Sequence, residues 1–366
     1  MRVHVVDPSA FTRPYDHALC AALARAGAEV ELITSRFPYG SAPPPDGYAL
    51  RELFYRHARG PAGSPLRRVT KLLEHVPDML RYRRAALEAQ VVHFQWLDVQ
   101  WLDGRLLPNR PVILTAHDLL PREPRPGQAR AQGRLYDAVD AVVAHSEYGR
   151  GQLVDALGVP ERKIRVIHHG AFEHLAHQAD EQPLPQELQE VAGPVALFFG
   201  LLRPYKGIDA LLQAWRGISD AELWIVGHPR MPVEPLRAAA PPGVRFITRF
   251  VSDAELPAYF RRADVVVLPY LGTERFDFSG VLATALAFGK PTVLSDVGGF
   301  QEVAATGAAE LVPPGDAEAL GEALSGLLSD AARRDSVARA AERAATGPYS
   351  WTQAANKTLD LYHELG

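Results

Sequence analysis

Cysteine is almost absent: Cys20 is alone among 366 residues. A lone thiol cannot build a disulfide framework, which suits a reducing compartment. Long hydrophobic runs are equally scarce. The opening MRVHVVDPS turns polar at Asp7, too soon for a secretion signal, and no later run approaches membrane length. The expected location is therefore the cytoplasm. Excess positive charge is missing as well. The 39 Lys and Arg stand against 43 Asp and Glu, a formal net charge of −4, so no nucleic-acid partner is expected.

Several chemical signatures are also lacking. The turn after the first apolar run, DPSAFTRPYDHAL, contains no glycine, and Gly200 and Gly207 are wrongly spaced for a dinucleotide fingerprint. Neither GxxxxGK[ST] nor Gly-x-Ser-x-Gly occurs, and neither Asp-x-Asp nor a Cys/His cluster offers a metal site. Hydride transfer, triphosphate hydrolysis and serine-nucleophile chemistry lose their usual markers. His168 and His169, at a strand end, read as structural.

What is present is a rhythm. RVHVV, VELIT, VVHF, VILTA, AVVAHS and IRVIHH alternate with helical patterns. The alternation resumes with VALFFG, ELWIVG, VRFIT, VVVLPY, PTVLSD and AELVPPG. Short apolar strands separated by helices indicate parallel sheets with crossover connections. The expected fold is α/β, with two Rossmann-like, doubly wound domains facing a cleft. Residues 1–172 form the first domain, 173–194 a polar, proline-containing linker region and 195–349 the second domain. Residues 350–366 form a helix, with Trp351, Ala355, Leu359 and Tyr362 on one face, that packs back on the first domain.

In such sheets ligands sit beyond the carboxyl ends of the strands. Candidate residues follow strands accordingly: Asp7 to Asp16, His117 and Asp118, His145 and Ser146, Arg203 and Lys206, and Glu274 to Gly280. Arg203 and Lys206 sit where the strand FFG turns into the helix IDALLQAW. Cations at a strand-to-helix turn suit an anionic ligand, because helix starts already favour negative charge. Ser279 reads as the N-cap of another helix, with Gly280 and Val281 letting backbone N–H groups approach a phosphate. Arg51 to Ala86 is rich in arginine within an acidic chain, read as a helical face that is either solvated or a landing site for an anionic membrane.

The segments AHSEYGRGQLVDALGVPERKIRVIHHG, FFGLLRPYKGIDALLQAW and SGVLATALAFGKPTVLSDVGGFQE, with the final Trp-containing helix, together resemble the retaining, nucleotide-sugar-dependent glycosyltransferases of family four, which have the GT-B fold. The resemblance implies a donor site in the second domain and an acceptor site in the first. It assigns the donor diphosphate to Arg203 and Lys206, with amides near Ser279, Gly280 and Val281 on its other side. It also assigns the donor sugar to His117, beside which Asp118 orients the ring. Base recognition is expected through backbone near Gly227 to Pro229 and Ile247 to Phe250. Transfer proceeds with retention by a front-face route, without metal or cofactor, from a nucleotide-diphosphate sugar to a glycan, a lipid-linked or a small-molecule acceptor. A peripheral contact at the inner face of an anionic membrane through residues 51–84 is the accompanying expectation.

Departures from the family pattern raise a second reading. The family places two glutamates eight positions apart in its donor motif; alignment puts Phe276 and Thr284 there. Thr284 then offers the ribose one short hydroxyl, which implies weaker nucleotide binding, and Asp277 or Glu274 is left to serve the sugar. The glycine pair of the first domain is replaced by TRPYDHAL, so Arg13, Tyr15 and Asp16 shape the acceptor side. A catalytically degenerate sugar-nucleotide or glycan-binding protein is the alternative to an active transferase, and a sugar-nucleotide epimerase of the same fold a third.

Overall fold

The computed structural model describes residues 1–37, 43–61, 63–120, 126–178, 180–272 and 277–366. The chain divides into two compact units. The first comprises Met1–Gly170, Glu274–Asp277, of which only Asp277 is described, and Trp351–Gly366; the second comprises Ala171–Thr273 and Phe278–Ser350.

The first unit is built on seven strands: β1 (Arg2–Asp7), β2 (Glu29–Ser35), β3 (Ala49–Phe54), β4 (Val91–Phe94), β5 (Val112–Thr115), β6 (Ala141–Ala144) and β7 (Ile164–Val166). All neighbours pair in parallel, in the order β3-β2-β1-β4-β5-β6-β7. Strands β4, β5 and β6 are buried at every position, as expected where helices cover both faces of a parallel sheet. Strand β3 lies in the stretch that the sequence suggested was helical. Only its last two residues, Leu53 and Phe54, are buried, so this edge strand carries little apolar signal.

Helices α1 (Arg13–Arg25), α2 (Pro65–Ala85), α3 (Gln100–Leu106), α4 (Gln128–Ala138) and α5 (Glu147–Asp155) connect the strands. Pro14 opens α1, where its missing N–H costs nothing, and the Ser64 side chain caps α2 by accepting from Arg67 N at 3.3 Å. The C-terminal helix Trp351–Leu365 lies against α1, burying Trp351, Ala354, Ala355, Thr358, Leu361 and Tyr362, while Leu359 is only partly covered. Tyr362 Oη bonds His93 Nδ1 at 2.7 Å, tying that helix to β4.

The second unit has six strands: β8 (Val195–Phe199), β9 (Glu222–Val226), β10 (Val244–Ile247), β11 (Val265–Leu268), β12 (Thr292–Ser295) and β13 (Ala309–Val312). They are again parallel, in the order β10-β9-β8-β11-β12-β13, around a core that includes Phe198, Trp215 and Leu324. Residues 173–194, which read as a linker, contain two short helices held on this unit by buried Leu175 and Leu188 and by Gln182 N donating to Ala254 O at 2.8 Å.

In both sheets the strand order reverses at one place, between β1 and β4 and between β8 and β11. Loops leaving two such strands diverge to opposite sides, and the crevice they leave is where open α/β sheets hold ligands. In the second unit Gly207 shapes this crevice. It has φ +68°, and a Cβ there would lie 1.8 Å from Pro269 O, so only glycine lets the turn after β8 close on the loop after β11. Gly207→Ala is expected to lower stability by about 2–4 kcal/mol, combining left-handed backbone strain with a steric clash. Thermal unfolding checks this; an unchanged Tm would mean that the turn is not so constrained.

Candidate functional site

In the second unit the residues at the reversal converge. Lys206, buried, donates to Tyr270 Oη at 2.6 Å, and Tyr270 Oη lies 3.1 Å from Ser279 Oγ. The ammonium is also 4.5 Å from the Tyr270 ring centroid. Lys206 comes from the turn after β8, Tyr270 from the loop after β11, and Ser279 from the start of the helix Gly280–Ala287. Ser279 occupies the N-cap position, but its side chain makes no capping bond and turns to Tyr270 instead. Among the described residues no side chain caps the first-turn N–H groups of this helix, a favourable place for an anion. Arg203 is half-buried, and its Nε is shielded from solvent without a hydrogen-bond partner among the described residues. Gly200, with φ +112°, brings its backbone close to both Val281 and Lys206: a Cβ would lie 3.2 Å from Val281 Cγ2 and 3.4 Å from Lys206 Nζ.

Two donor-side expectations meet a different geometry. Thr284 is buried, and its hydroxyl donates to Gly280 O at 2.9 Å, one turn back along the same helix. Asp277 is fully buried in the first unit. Its carboxylate accepts from His145 N at 2.7 Å and from Ser146 Oγ, and it sits so close to Gly149 that a Cβ there would lie 2.6 Å away. A carboxylate held at the N-terminus of α5 is not turned towards a sugar, so Asp277 positions the chain rather than binding donor. Glu274 and Phe276 lie outside the described residues.

In the first unit His117, just beyond β5, is held by four groups. Its Nε2 is 3.0 Å from Gln95 Oε1 and its Nδ1 3.3 Å from His145 Nε2. Trp96 stacks on the ring at 5.3 Å between centroids, and Tyr15 meets it edge-on at 4.6 Å. His145 Nδ1 must donate to Ile167 O, 3.0 Å away, so a neutral His145 accepts at Nε2 and His117 carries its proton on Nδ1. His117 Nε2 then keeps a lone pair, which the Gln95 amide satisfies by turning its NH2 inward; that nitrogen is buried without a partner among the described residues. Gln95 and His145, not Asp118, orient this ring.

Burial lowers the pKa of His117 well below the usual histidine value, brings His145 to about 4, and sets His93 and His169 at about 3. All four are neutral imidazoles near neutral pH. Tyr15 lies between His117, His145, His169 and Trp351, with ring centroids between 4.6 and 5.5 Å. Arg13, Tyr15 and Asp16, expected to shape the acceptor side, are buried and so do not present an exposed lining. Asp118 is half-buried beside the cavity of about 220 Å³ that Gln95, Trp96 and His117 also line.

The sequence reading missed Gln95, Trp96, His145 as an orienting group, and Tyr270. Each directly follows an apolar strand, which is the one signal that could have marked them. Among the described residues His4, Glu31 and Glu88 are spaced for a metal, but Arg51 already forms a paired bond to Glu31 at 2.7 and 2.9 Å.

Two parallel-sheet Rossmann-like units, each with polar residues at its strand-order reversal, define a GT-B-type protein. Residues 15–171 match the profile described as Glycosyltransferase Family 4, and residues 193–330 match that described as Glycosyl transferases group 1. The chain is similar to a D-inositol 3-phosphate glycosyltransferase of Xylanimonas cellulosilytica, 30% identical over 94% of this chain and 89% of that one. A phosphatidyl-myo-inositol mannosyltransferase of Mycobacterium leprae is 38% identical over 183 residues, 47% of each chain. An Anabaena protein crystallised with UDP shares the fold at a TM-score of 0.75, with 18% identity and both chains fully covered. The chain belongs to glycosyltransferase family four and is a glycosyltransferase.

Asp7 and Asp16 form a buried carboxyl pair below this site. Burial pushes Asp7 up to about 6, against bonds from the N–H groups of Thr12 and Ser9; burial and the Asp7 charge raise Asp16 well above the usual carboxylate range. The unfolded chain releases these protons near the model-peptide value of 3.8, while the folded chain retains them to higher pH. The Asp7 share of the cost therefore accrues as pH rises through about 4 to 6, and the Asp16 share continues to higher pH. Asp16→Asn should stabilise the protein by about 1–3 kcal/mol at about pH 8, with the gain shrinking towards about pH 4.5. Unfolding of both proteins at the two pH values checks the sign; a gain that is equal at both would remove the pair as its cause.

Proposed function

We propose that this enzyme transfers a sugar with retention of configuration from a nucleotide-diphosphate sugar to a hydroxyl acceptor. The observation that carries the reading is the Lys206–Tyr270–Ser279 chain, with Arg203 beside it in the same turn and, beyond it, helix N–H groups that no described side chain caps. Arg203 and Lys206 hold the diphosphate, and the amides at Gly280 and Val281 take its other oxygens. The bond that breaks joins the anomeric carbon to a phosphate oxygen, which leaves as an anion. Fixed cations and dipoles stabilise that charge most in the transition state. The acceptor oxygen attacks on the face the diphosphate leaves, and its proton passes to a phosphate oxygen. No carboxylate nucleophile is needed. His117, neutral and fixed by Gln95 and His145, serves at the reacting sugar. The UDP bound by the Anabaena relative supports a nucleotide donor.

The cations take the role a divalent ion plays elsewhere, so transfer is metal-independent. Thr284, bonded within its helix, is a packing residue, and the ribose is held by other groups. The degenerate-binder reading draws on Phe276 and Thr284 standing where the family has glutamates. Release of nucleoside diphosphate from a panel of UDP, GDP, ADP and dTDP sugars, with and without candidate acceptors, separates the two. Lys206→Met and Arg203→Ala are each expected to lower turnover roughly 30- to 1000-fold, the range for losing a preorganised charge contact of about 2–4 kcal/mol. Turnover within about twofold of wild type in both variants, or activity abolished by EDTA and restored by manganese, would overturn the assignment.

We further infer that α2 contacts an anionic membrane. Leu66, Val69, Leu72 and Leu73 are 58, 57, 57 and 72% exposed, an apolar stripe beside Arg67, Arg68, Arg81 and Arg84. Apolar side chains that enter the interface, with arginines at the headgroups, suit a surface-lying helix. No described helix is long and apolar enough to cross a membrane. Co-sedimentation with vesicles containing phosphatidylglycerol should fall at least about fivefold in Leu72→Glu/Leu73→Glu and weaken as salt rises. Equal binding to neutral and anionic vesicles, or none, would leave a solvated face.

A further inference from the structure

A second polar cluster lies where the first sheet reverses. Ser9 is on the loop after β1 and Asp98 on the loop after β4, the two strands that flank the reversal. The Ser9 hydroxyl donates to Asp98 Oδ2 and accepts from Lys71 Nζ at 2.6 Å. Lys71 reaches in from α2, its ammonium 4.4 Å from the Tyr55 ring centroid and 5.5 Å from that of Phe11. The hydroxyl is thus fixed between a cation and an anion. Among the described residues no partner is found for Asp98 Oδ1 or for the other two N–H bonds of Lys71. Phe11, 52% exposed, meets Trp96 edge-on at 5.7 Å, and Trp96 stacks on His117.

We propose that Ser9, Asp98 and Lys71 form the acceptor subsite, and that the acceptor presents there an uncharged, polyhydroxylated ring, a sugar or cyclitol. This deepens the glycosyltransferase reading and rests on it. Neighbouring ring hydroxyls supply what the cluster lacks: one donates to the Asp98 carboxylate and the next accepts from Lys71. The positive and negative charges offset each other, so a phosphate would gain from Lys71 and lose to Asp98. The apolar C–H face of a sugar or cyclitol packs on Phe11 and Trp96, and Trp96 places the ring on the His117 side. Burial acts in the same sense, lowering the Lys71 pKa and raising that of Asp98, so both favour a partner that completes their hydrogen bonds without adding charge.

The test uses the full-length enzyme and the nucleotide sugar from which it releases diphosphate fastest. Release is followed against rising myo-inositol, D-mannose, D-glucose and myo-inositol 1-phosphate. At least one neutral ring should accelerate release by wild type. Asp98→Asn, Lys71→Met and the surface variant Phe11→Ala should raise its half-saturating concentration roughly ten- to a hundredfold, the effect of losing a charge-assisted bond or a stacking face. The maximal rate should stay within about threefold, and calorimetric affinity for the nucleoside diphosphate should be unchanged. Phe11 is exposed, so its variant remains informative if a buried one fails to fold. An unchanged half-saturating concentration in all folded variants would overturn the proposal. So would acceleration by the phosphorylated ring alone, or by none of the four while the nucleotide still binds. If wild type neither binds nucleotide nor releases diphosphate, the donor assignment fails instead.

Discussion

The geometry of both units depends on one constraint: the strand order of each parallel sheet reverses once, and the connections leaving the two strands at that point run to opposite sides of the sheet. Backbone and side-chain polar groups there must find partners across a gap or face a ligand. In the second unit the Lys206–Tyr270 bond and the close approach of Gly207 to Pro269 O span the gap, and Arg203 Nε finds no partner among the described residues. In the first unit the Ser9–Asp98 bond spans it, with Lys71 entering from α2. The candidate residues of both units gather at these two points, beside the ends of the strands that flank each reversal.

Burial then decides protonation. Histidines packed around Tyr15 are held neutral because a charged ring would lose its hydration on burial. The same desolvation keeps protons on the Asp7 and Asp16 pair. Where a carboxylate has a close cation the outcome differs. Glu222, bonded to Arg245 at 2.6 and 2.7 Å, has its pKa lowered, even though its partial burial alone would raise it. The sites proposed for donor and acceptor therefore differ in character: fixed positive charge in one, offset charges above a neutral aromatic and imidazole floor in the other.

Helix α2 joins two roles on one element. Lys71 turns inward to Ser9, while Leu66, Val69, Leu72 and Leu73 face outward. Helical geometry makes this possible, since residues on opposite faces are separated by only one or two positions in sequence. The two proposals, the hydroxylated acceptor ring and the lipid contact, thus concern opposite faces of one helix.

The sequence alone determined the strands whose apolar character is continuous. VVHF, VILT and AVVA are buried at every position, and β8, β9, β11 and β12 of the second unit were legible for the same reason, while β10 and β13 are apolar but only partly covered. It also marked Arg203 and Lys206, because cations at a strand-to-helix turn are a local signal, and the family followed from motifs spread along the chain. Strand β3 escaped because an exposed edge needs little hydrophobicity. What only the tertiary structure decided are pairings between distant residues. Ser9 and Lys71 are 62 positions apart, and Asp277 lies 131 from Ser146. Thr284 stood at a donor-motif position by alignment and Asp277 was, with Glu274, a loop residue left to serve the sugar, yet Asp277 is bonded at the start of α5 and Thr284 within its own helix. Periodicity records which side of an element is buried, but a polar side chain's role depends on the partner that folding brings to it, and no local pattern encodes that partner.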